Sequence, residues 1–224
     1  MHASGKAAGR VKSYQQYCPV ARTLDIFGER WTFLVVRELL MGPKRYTDLR
    51  DGLPGIASDL LTARLRALES AGFVERRALP RPAPATVYEL TDAGRALGPA
   101  VLALGRVGLP LLGAPAAGDS LHPEPVVLSL RAAFRREAHP GLLETYQLAI
   151  DGEPFTVAVE DGAVTTSRGR DPAAAVTLEA SAATLVTLLR GDQTLDRALS
   201  EGVLTSEGDR QALDRFLSAF AYPR

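Results

Sequence analysis

Apolar positions recur at helical spacing through the first half of the chain and give way to alternation after about residue 143. Val20, Leu24 and Phe27 form a first stripe, opened by Cys18-Pro19 and closed by Gly28. Proline suits such an opening because the first helical turn has no use for its missing N–H. Trp31, Leu34, Val35 and Leu39 form a second stripe, predicting a helix over residues 31–41 that Gly42-Pro43 stops. A short helix from Tyr46 to about Arg50 follows, then the turn residues Asp51-Gly52 and Pro54-Gly55. Leu61, Leu65 and Leu68 predict the next helix, with Ser58 as its cap. Gly72 is expected to take the left-handed closing position, with Phe73 packing back towards Leu68.

Two short helices across a tight glycine-containing turn make the helix-turn-helix pattern. The free face of the second helix carries Asp59, Thr62, Ala63 and Arg66. Two strand-like runs follow, Val74–Ala78 and Val87–Leu90. Pro80, Pro82 and Pro84 stiffen the loop between them, with Arg76, Arg77 and Arg81 around it. That arrangement is a two-stranded basic wing. Thr91 is placed to cap the next helix, which Pro99 should kink or delay. Leu97, Val101, Leu104 and Leu111 recur along it at three-, four- and seven-residue steps, a seam suited to a helix of a second subunit.

Residues 113–125 are a linker by composition. A helix is expected over Val126–Arg136, then strands over Leu143–Ile150, Pro154–Val159 and Val164–Ser167. Asp151-Gly152 and Asp161-Gly162 join these strands, and Asp-Gly between apolar runs is a strong hairpin signal. Ala175–Glu179 predicts a further strand, and Ala182–Arg190 and Thr194–Ser200 predict helices. Val203–Ser206 reads as a short strand or turn. Asp209–Phe220 closes the region as a helix with Leu213, Phe216, Leu217 and Phe220 inward. The pattern therefore predicts an α+β chain: an arm over residues 1–17, a winged helix-turn-helix over 18–112, and a small α+β domain over 126–224.

Charge sharpens this division. The 224 residues carry no net charge, yet residues 1–112 hold 16 Lys+Arg against 10 Asp+Glu, and the remainder mirrors this balance. A basic half joined to an acidic half implies that one of them seeks a polyanion. Lys6, Arg10 and Lys12 place further cations in the arm. No apolar run is long enough to span a bilayer, and residues 1–16 lack the apolar core of a secretory signal. One cysteine, Cys18, excludes an internal disulfide framework and fits a reducing cytoplasm. At a helix N-terminus its thiolate would be favoured, so Cys18 is a candidate redox residue, with a small packed residue as the plainer reading.

The histidines, His2, His122 and His139, have no metal-ligand spacing to one another or to Cys18. The sequence shows no phosphate-binding glycine loop, nucleophile elbow or HExxH motif. Nothing here argues for an enzyme, a cofactor or a metal.

The ordered motifs Cys18-Pro19-Val20, Gly28-Glu29-Arg30-Trp31-Thr32, Arg37-Glu38-Leu39-Leu40, Gly42-Pro43, Arg45-Tyr46, Pro54-Gly55-Ile56, Leu61-Thr62, Gly72-Phe73 and Tyr88-Glu89-Leu90-Thr91-Asp92-Ala93-Gly94 resemble the HxlR-type, MarR-related transcriptional regulators. The resemblance covers about residues 18–112. It implies a winged helix-turn-helix that dimerises through its terminal helices and binds a pseudo-palindromic operator in double-stranded DNA. Some members of that family sense electrophiles or oxidants through a cysteine at the Cys18 position. The chain departs from the family where members commonly carry a tryptophan late in the long helix; here Gly105–Gly108 contains no aromatic residue. The second half is similar to sterol-carrier-protein-like domains through Tyr146-Gln147-Leu148, Phe155, Asp161-Gly162, Leu178, Glu201-Gly202 and Glu207-Gly208-Asp209. That similarity implies an apolar tunnel between sheet and helices.

Together these readings lead to a cytoplasmic, homodimeric, DNA-binding regulator, expected to repress, with no membrane association. Ser58, Asp59, Thr62, Ala63 and Arg66 are the expected base-edge contacts. Lys44, Arg45, Arg76, Arg77 and Arg81 are the expected phosphate contacts. Val20, Leu97, Val101, Leu104 and Leu111 are the expected dimer residues. Phe155, Val157, Leu178, Leu185, Leu189 and Phe216 are the candidate walls of a site for a hydrophobic effector. The alternatives are a thiol switch acting through Cys18, and a hydrophobic-ligand carrier whose winged helix serves protein contacts.

Overall fold

The computed structural model describes residues 13–80 and 84–223. The expectations for Lys6, Arg10, Lys12 and Arg81 lie outside the described residues.

In the N-terminal half, helices α1 (Pro19–Phe27), α2 (Thr32–Leu39), α3 (Tyr46–Asp51) and α4 (Ser58–Ser70) pack around a core that includes Phe27, Val35, Val36, Leu49, Leu61, Leu65 and Leu68. Strands β1 (Lys44–Arg45), β2 (Val74–Leu79) and β3 (Ala85–Leu90) form an antiparallel sheet in the order β1-β3-β2. The sequence pattern missed β1, because two residues are too few to show alternation. Gly72 has φ +78°, so the chain leaves α4 through the left-handed position as expected. Phe73 then packs edge-on against Phe27, with ring centroids 4.9 Å apart.

The structure corrects the inward stripe of the second helix. Leu34 is exposed, and Val36 is buried in its place. Two residues along a helix lie on nearly opposite sides, so both cannot face the core. On α1, Ala21 and Phe27 are buried while Val20 and Leu24 face outward. The helix cap also differs: α4 begins one residue early, with Ala57 at its N-cap. Ser58 is therefore already helical and makes no capping hydrogen bond.

Thr91 caps α5 (Asp92–Arg95), its hydroxyl accepting the Gly94 N–H at 3.1 Å. Pro99 sits in the first turn of α6 (Gly98–Gly108), which separates the two helices as its missing donor requires. A 3-10 turn, Leu109–Leu111, ends α6 and buries Leu109 while leaving Leu111 exposed. The apolar seam is thereby shortened at its far end.

The C-terminal half opens with α7 (Pro123–Ala133). Its sheet comprises β4 (Glu144–Ile150), β5 (Glu153–Glu160), β6 (Ala163–Arg168), β7 (Val176–Ala180) and β8 (Leu204–Gly208), in the order β6-β5-β4-β7-β8. β4 and β7 run parallel, and the other pairs antiparallel. Both Asp-Gly turns have positive φ at both residues, the geometry that matches the twist of the strands they join. Helices α8 (Ala182–Arg190), α9 (Leu195–Ser200) and α10 (Arg210–Phe220) complete the half. Ser181, Thr194 and Asp209 cap them by accepting backbone N–H groups.

Alternation on β4 and β5 buries Tyr146, Leu148, Ile150, Phe155, Val157 and Val159 beneath α7, α8 and α10. Gln147 is buried too. Its amide N–H donates to the Phe155 carbonyl at 2.9 Å, and its amide oxygen accepts the Asp171 N–H at 2.8 Å. That pairing offsets the desolvation of a polar residue in a central strand.

The halves meet along α6 and α7. A Cβ at Gly105 would lie 3.2 Å from the Ala132 Cβ, so the glycine lets the two helices approach closely. This glycine late in α6 serves contact within the chain.

Candidate nucleic-acid interface

The α3-turn-α4 unit is held by buried and polar contacts together. Leu49, Leu53 and Ile56 are buried beneath the turn. The Asp48 carboxylate accepts the Arg45 N–H at 2.9 Å and closes the start of α3. The Tyr46 hydroxyl donates to the Ser58 carbonyl at 2.9 Å and accepts from the Thr62 hydroxyl at 3.4 Å, fixing α3 against α4. Ser58, Asp59, Ala63 and Arg66 are exposed and Thr62 is half-buried, so the face expected to read bases is open to solvent. Arg45 is also exposed. Arg66 lines a groove of about 800 Å³ together with Leu24, Asp25 and Gly28, which places it on the side of α4 nearest the end of α1.

The wing arginines have partners of their own. Arg76 reaches Glu69 on α4 at 3.2 Å and lies over the Tyr88 ring at 5.3 Å. Arg77 makes two hydrogen bonds to Glu89, at 2.6 and 3.0 Å. The Arg77 hydrogen bond holds the Glu89 pKa below its ordinary value, and Glu89 raises that of Arg77. Arg76 and Arg77 are exposed, so these pairs can exchange for a phosphate at small cost. They fix Arg76 beside α4 and Arg77 against β3 of the wing.

Lys44 departs from expectation. It is 7% exposed, and its ammonium donates to Glu38 at 2.5 Å and also to Glu124 of α7. Arg37 pairs with Glu38 at 2.7 Å from one end. Arg168 of β6 binds Glu124 at 2.5 Å and Glu153 at 2.7 Å from the other. Burial lowers the Arg168 pKa, but the two carboxylates outweigh it and the net shift is upward. Lys44 therefore belongs to an ion chain joining the halves, and its charge is spent on two buried carboxylates rather than offered to a phosphate. Sequence spacing carried no sign of this, since Glu124 lies 80 residues away.

The candidate effector walls are also placed differently. Phe155, Val157, Leu178, Leu185, Leu189 and Phe216 are each at most 1% exposed. The space expected to be a tunnel is occupied by Tyr146, Phe216 and Phe220, with successive ring centroids 5.1 and 5.0 Å apart. These side chains are packed core. Leu189 also borders a surface groove.

Cys18 is the half-buried N-cap of α1, and its side chain makes no capping hydrogen bond. Among the expected dimer residues, Val20, Leu104 and Leu111 are exposed, while Leu97 and Val101 pack partly on the N-terminal core. Among the described residues no group of three or more His, Cys, Asp or Glu is placed to hold a metal ion. Among them, too, no helix is long and apolar enough to cross a membrane.

A family model described as HxlR-like helix-turn-helix matches residues 26–112, and one described as Alkyl sulfatase C-terminal matches residues 145–224. The second description names an alkyl sulfatase segment, not a sterol carrier. An uncharacterized HTH-type transcriptional regulator, sll1512 of Synechocystis, is 38% identical over 91 residues, covering 41% of this chain and 67% of the relative. The uncharacterized HTH-type transcriptional regulator YvaP of Bacillus subtilis is 36% identical over 85 residues, covering 38% of this chain and 79% of the relative. The inverting sec-alkylsulfatase Pisa1 from Pseudomonas is similar at 20% identity and a TM-score of 0.43, over 46% of this chain and 17% of the enzyme. Identity at this level across most of a relative's length, on the segment that folds as the winged helix-turn-helix, places the chain by its N-terminal half: it belongs to the HxlR-like helix-turn-helix family.

Proposed function

We propose that the chain is a homodimeric transcriptional regulator that binds a pseudo-palindromic operator, represses from it, and responds to a small molecule through its C-terminal half. The observation that carries the DNA reading is the open face of α4. Asp59, Ala63 and Arg66 stand exposed on a helix fixed by Tyr46, beside a wing that presents Arg76 and Arg77. A helix presented in this way fits the major groove, and flanking arginines hold the backbone. The relatives' names as transcriptional regulators support the same reading.

Dimerisation is supported by apolar side chains left uncovered on the terminal helices of this half: Val20 on α1, and Leu104 and Val107 on α6. A two-fold dimer sets its two reading helices about 34 Å apart, one turn of the duplex. The sterol-carrier likeness of the second half belongs to the proposal. Its sheet with helices on one face is compatible with it, but the interior is filled. An effector therefore has to bind at the surface or between the halves.

Fluorescence anisotropy with a labelled duplex from upstream of the chain's own gene tests the DNA reading. Arg45→Ala and Arg77→Ala should each weaken binding about evenly across sequences and reduce the salt slope by about one. Arg66→Ala should cost about 1–3 kcal/mol at one base position if it reads guanine. Unchanged affinity in all three variants would refute the interface.

The thiol-switch and carrier alternatives gain less. Cys18 is the only cysteine, so any disulfide it forms must join two chains or take an external thiol. The carrier reading needs an interior cavity where the aromatic cluster sits.

A further inference from the structure

A groove of about 540 Å³ lies where the halves join, bounded by the ends of α6, α7 and α8 and by the residues after α10. Its volume is in the range of small-molecule sites. Leu109, Ala132, Leu188 and Tyr222 supply apolar surface. Arg106, Arg135 and Arg190 supply its charge, and no carboxylate is among the lining residues.

The state of these arginines matters more than their number. Arg190 is engaged, by Asp192 at 2.7 Å and by the Leu112 carbonyl at 2.7 Å. Arg106 and Arg135 are exposed and have no carboxylate within ion-pair distance among the described residues. Other exposed arginines, among them Arg45, Arg66 and Arg170, also lack such a partner; what distinguishes Arg106 and Arg135 is that both line one groove with apolar surface and no lining carboxylate. The frame around them is rigid. The Arg135 N–H donates to the Ala219 carbonyl at 2.9 Å, and the Tyr222 N–H donates to the Leu189 carbonyl at 2.8 Å. The Tyr222 and Ser129 hydroxyls share a hydrogen bond at 2.6 Å.

From this we infer that the groove is the effector site, and that its ligand is a small amphipathic anion. The acid group is held by Arg106 and Arg135, and the apolar tail lies on Leu109, Leu188 and Tyr222. Guanidinium forks bind carboxylates in two-point geometry, and the adjoining apolar surface selects for the tail. The inference deepens the effector part of the proposed function and rests on it. Arg106 belongs to α6 of the DNA-binding half, and Arg135 follows α7 of the other. One anion bridging them ties the two halves together where α6 ends. Such a bridge shifts DNA affinity to the extent that the anion binds one arrangement of the halves better than another.

The test uses the full chain and octanoate as probe, with acetate, octanol and octylamine as controls, followed by calorimetry. Octanoate should bind saturably, one per chain. Acetate lacks the tail, octanol the charge, and octylamine carries the wrong charge; each should bind at least tenfold more weakly. The double variant R106A/R135A should lose at least tenfold in octanoate affinity, while Arg170→Ala, an exposed arginine outside the groove, should bind as the parent does. Equal binding of octanoate and octylamine, or no loss in the double variant, would overturn the site. Operator affinity measured with and without octanoate separates the two levels. Arginine-dependent binding that leaves DNA affinity unchanged keeps the site and removes the sensor. DNA binding by a chain that ignores octanoate removes the site and keeps the regulator.

Discussion

The two halves of this chain solve folding in opposite ways. The C-terminal half is closed. Its sheet buries one face under three helices, its polar Gln147 is fully engaged, and its aromatic side chains fill the centre. The N-terminal half is open. Its core is smaller, and Val20, Leu104 and Val107 remain uncovered. Its open α4 face carries little besides polar and small residues. The closed half buries its apolar surface within the chain, with Met41, Leu102 and Leu109 of the other half packed on its core, whereas the open half leaves apolar surface for partners. The difference predicts that substitutions in the C-terminal half act on stability, while exposed substitutions in the N-terminal half act on assembly and DNA binding.

The comparison can be broken most decisively at the aromatic cluster. Phe216→Ala should destabilise the chain by about 3–5 kcal/mol, because the cavity forms where neighbours cannot collapse. Urea denaturation reads this loss. Its counterpart, Leu104→Ser, should leave the folded monomer within about 0.5 kcal/mol, since the side chain is largely exposed. Sedimentation should nevertheless show a shift from dimer to monomer. If Leu104→Ser unfolds the chain, the surface is not open in the sense argued.

Between the halves, Lys44→Ala should cost about 3–5 kcal/mol, as it leaves Glu38 and Glu124 buried without their shared cation. Removing Glu124 as well should recover part of that loss. A Lys44→Ala protein of parental stability that loses DNA affinity would return Lys44 to the phosphate contacts. Smaller effects sharpen the contrast. Ser181→Ala removes the cap of α8 and should cost about 1 kcal/mol in thermal unfolding.

Asp209 gives the smallest and most specific readout. Its carboxylate accepts the Gln211 N–H, which holds its pKa below the ordinary value. A depressed folded pKa contributes stability that is present above about pH 4, and that is lost as the pH falls through the lowered value. Melting temperatures from pH 7 to pH 3 should therefore fall less steeply in Asp209→Asn than in the parent.

What the sequence made legible follows the same division. In the closed half, alternation and the two Asp-Gly turns located strands and hairpins, and Ala182–Arg190 was placed to the residue. Local chemistry decides those elements. What alternation cannot tell is whether the space beneath a buried face is filled, so Phe155 and Phe216 looked like pocket walls and proved to be core. In the open half, glycines and leucines revealed the helix pair, but exposure depends on what covers a helix. Leu34 was read as inward because nothing local distinguishes a core stripe from an uncovered one. Lys44 and the Arg106–Arg135 groove were illegible for a common reason. Their partners come from distant elements, and only the docking of α7 on α6 brings them together.

A nuclease footprint of the full chain on the DNA upstream of its own gene tests the central claim most directly. Two protected segments with centres about one helical turn apart are the predicted result. A single protected segment, or none at protein concentrations where the chain is folded, would contradict the account.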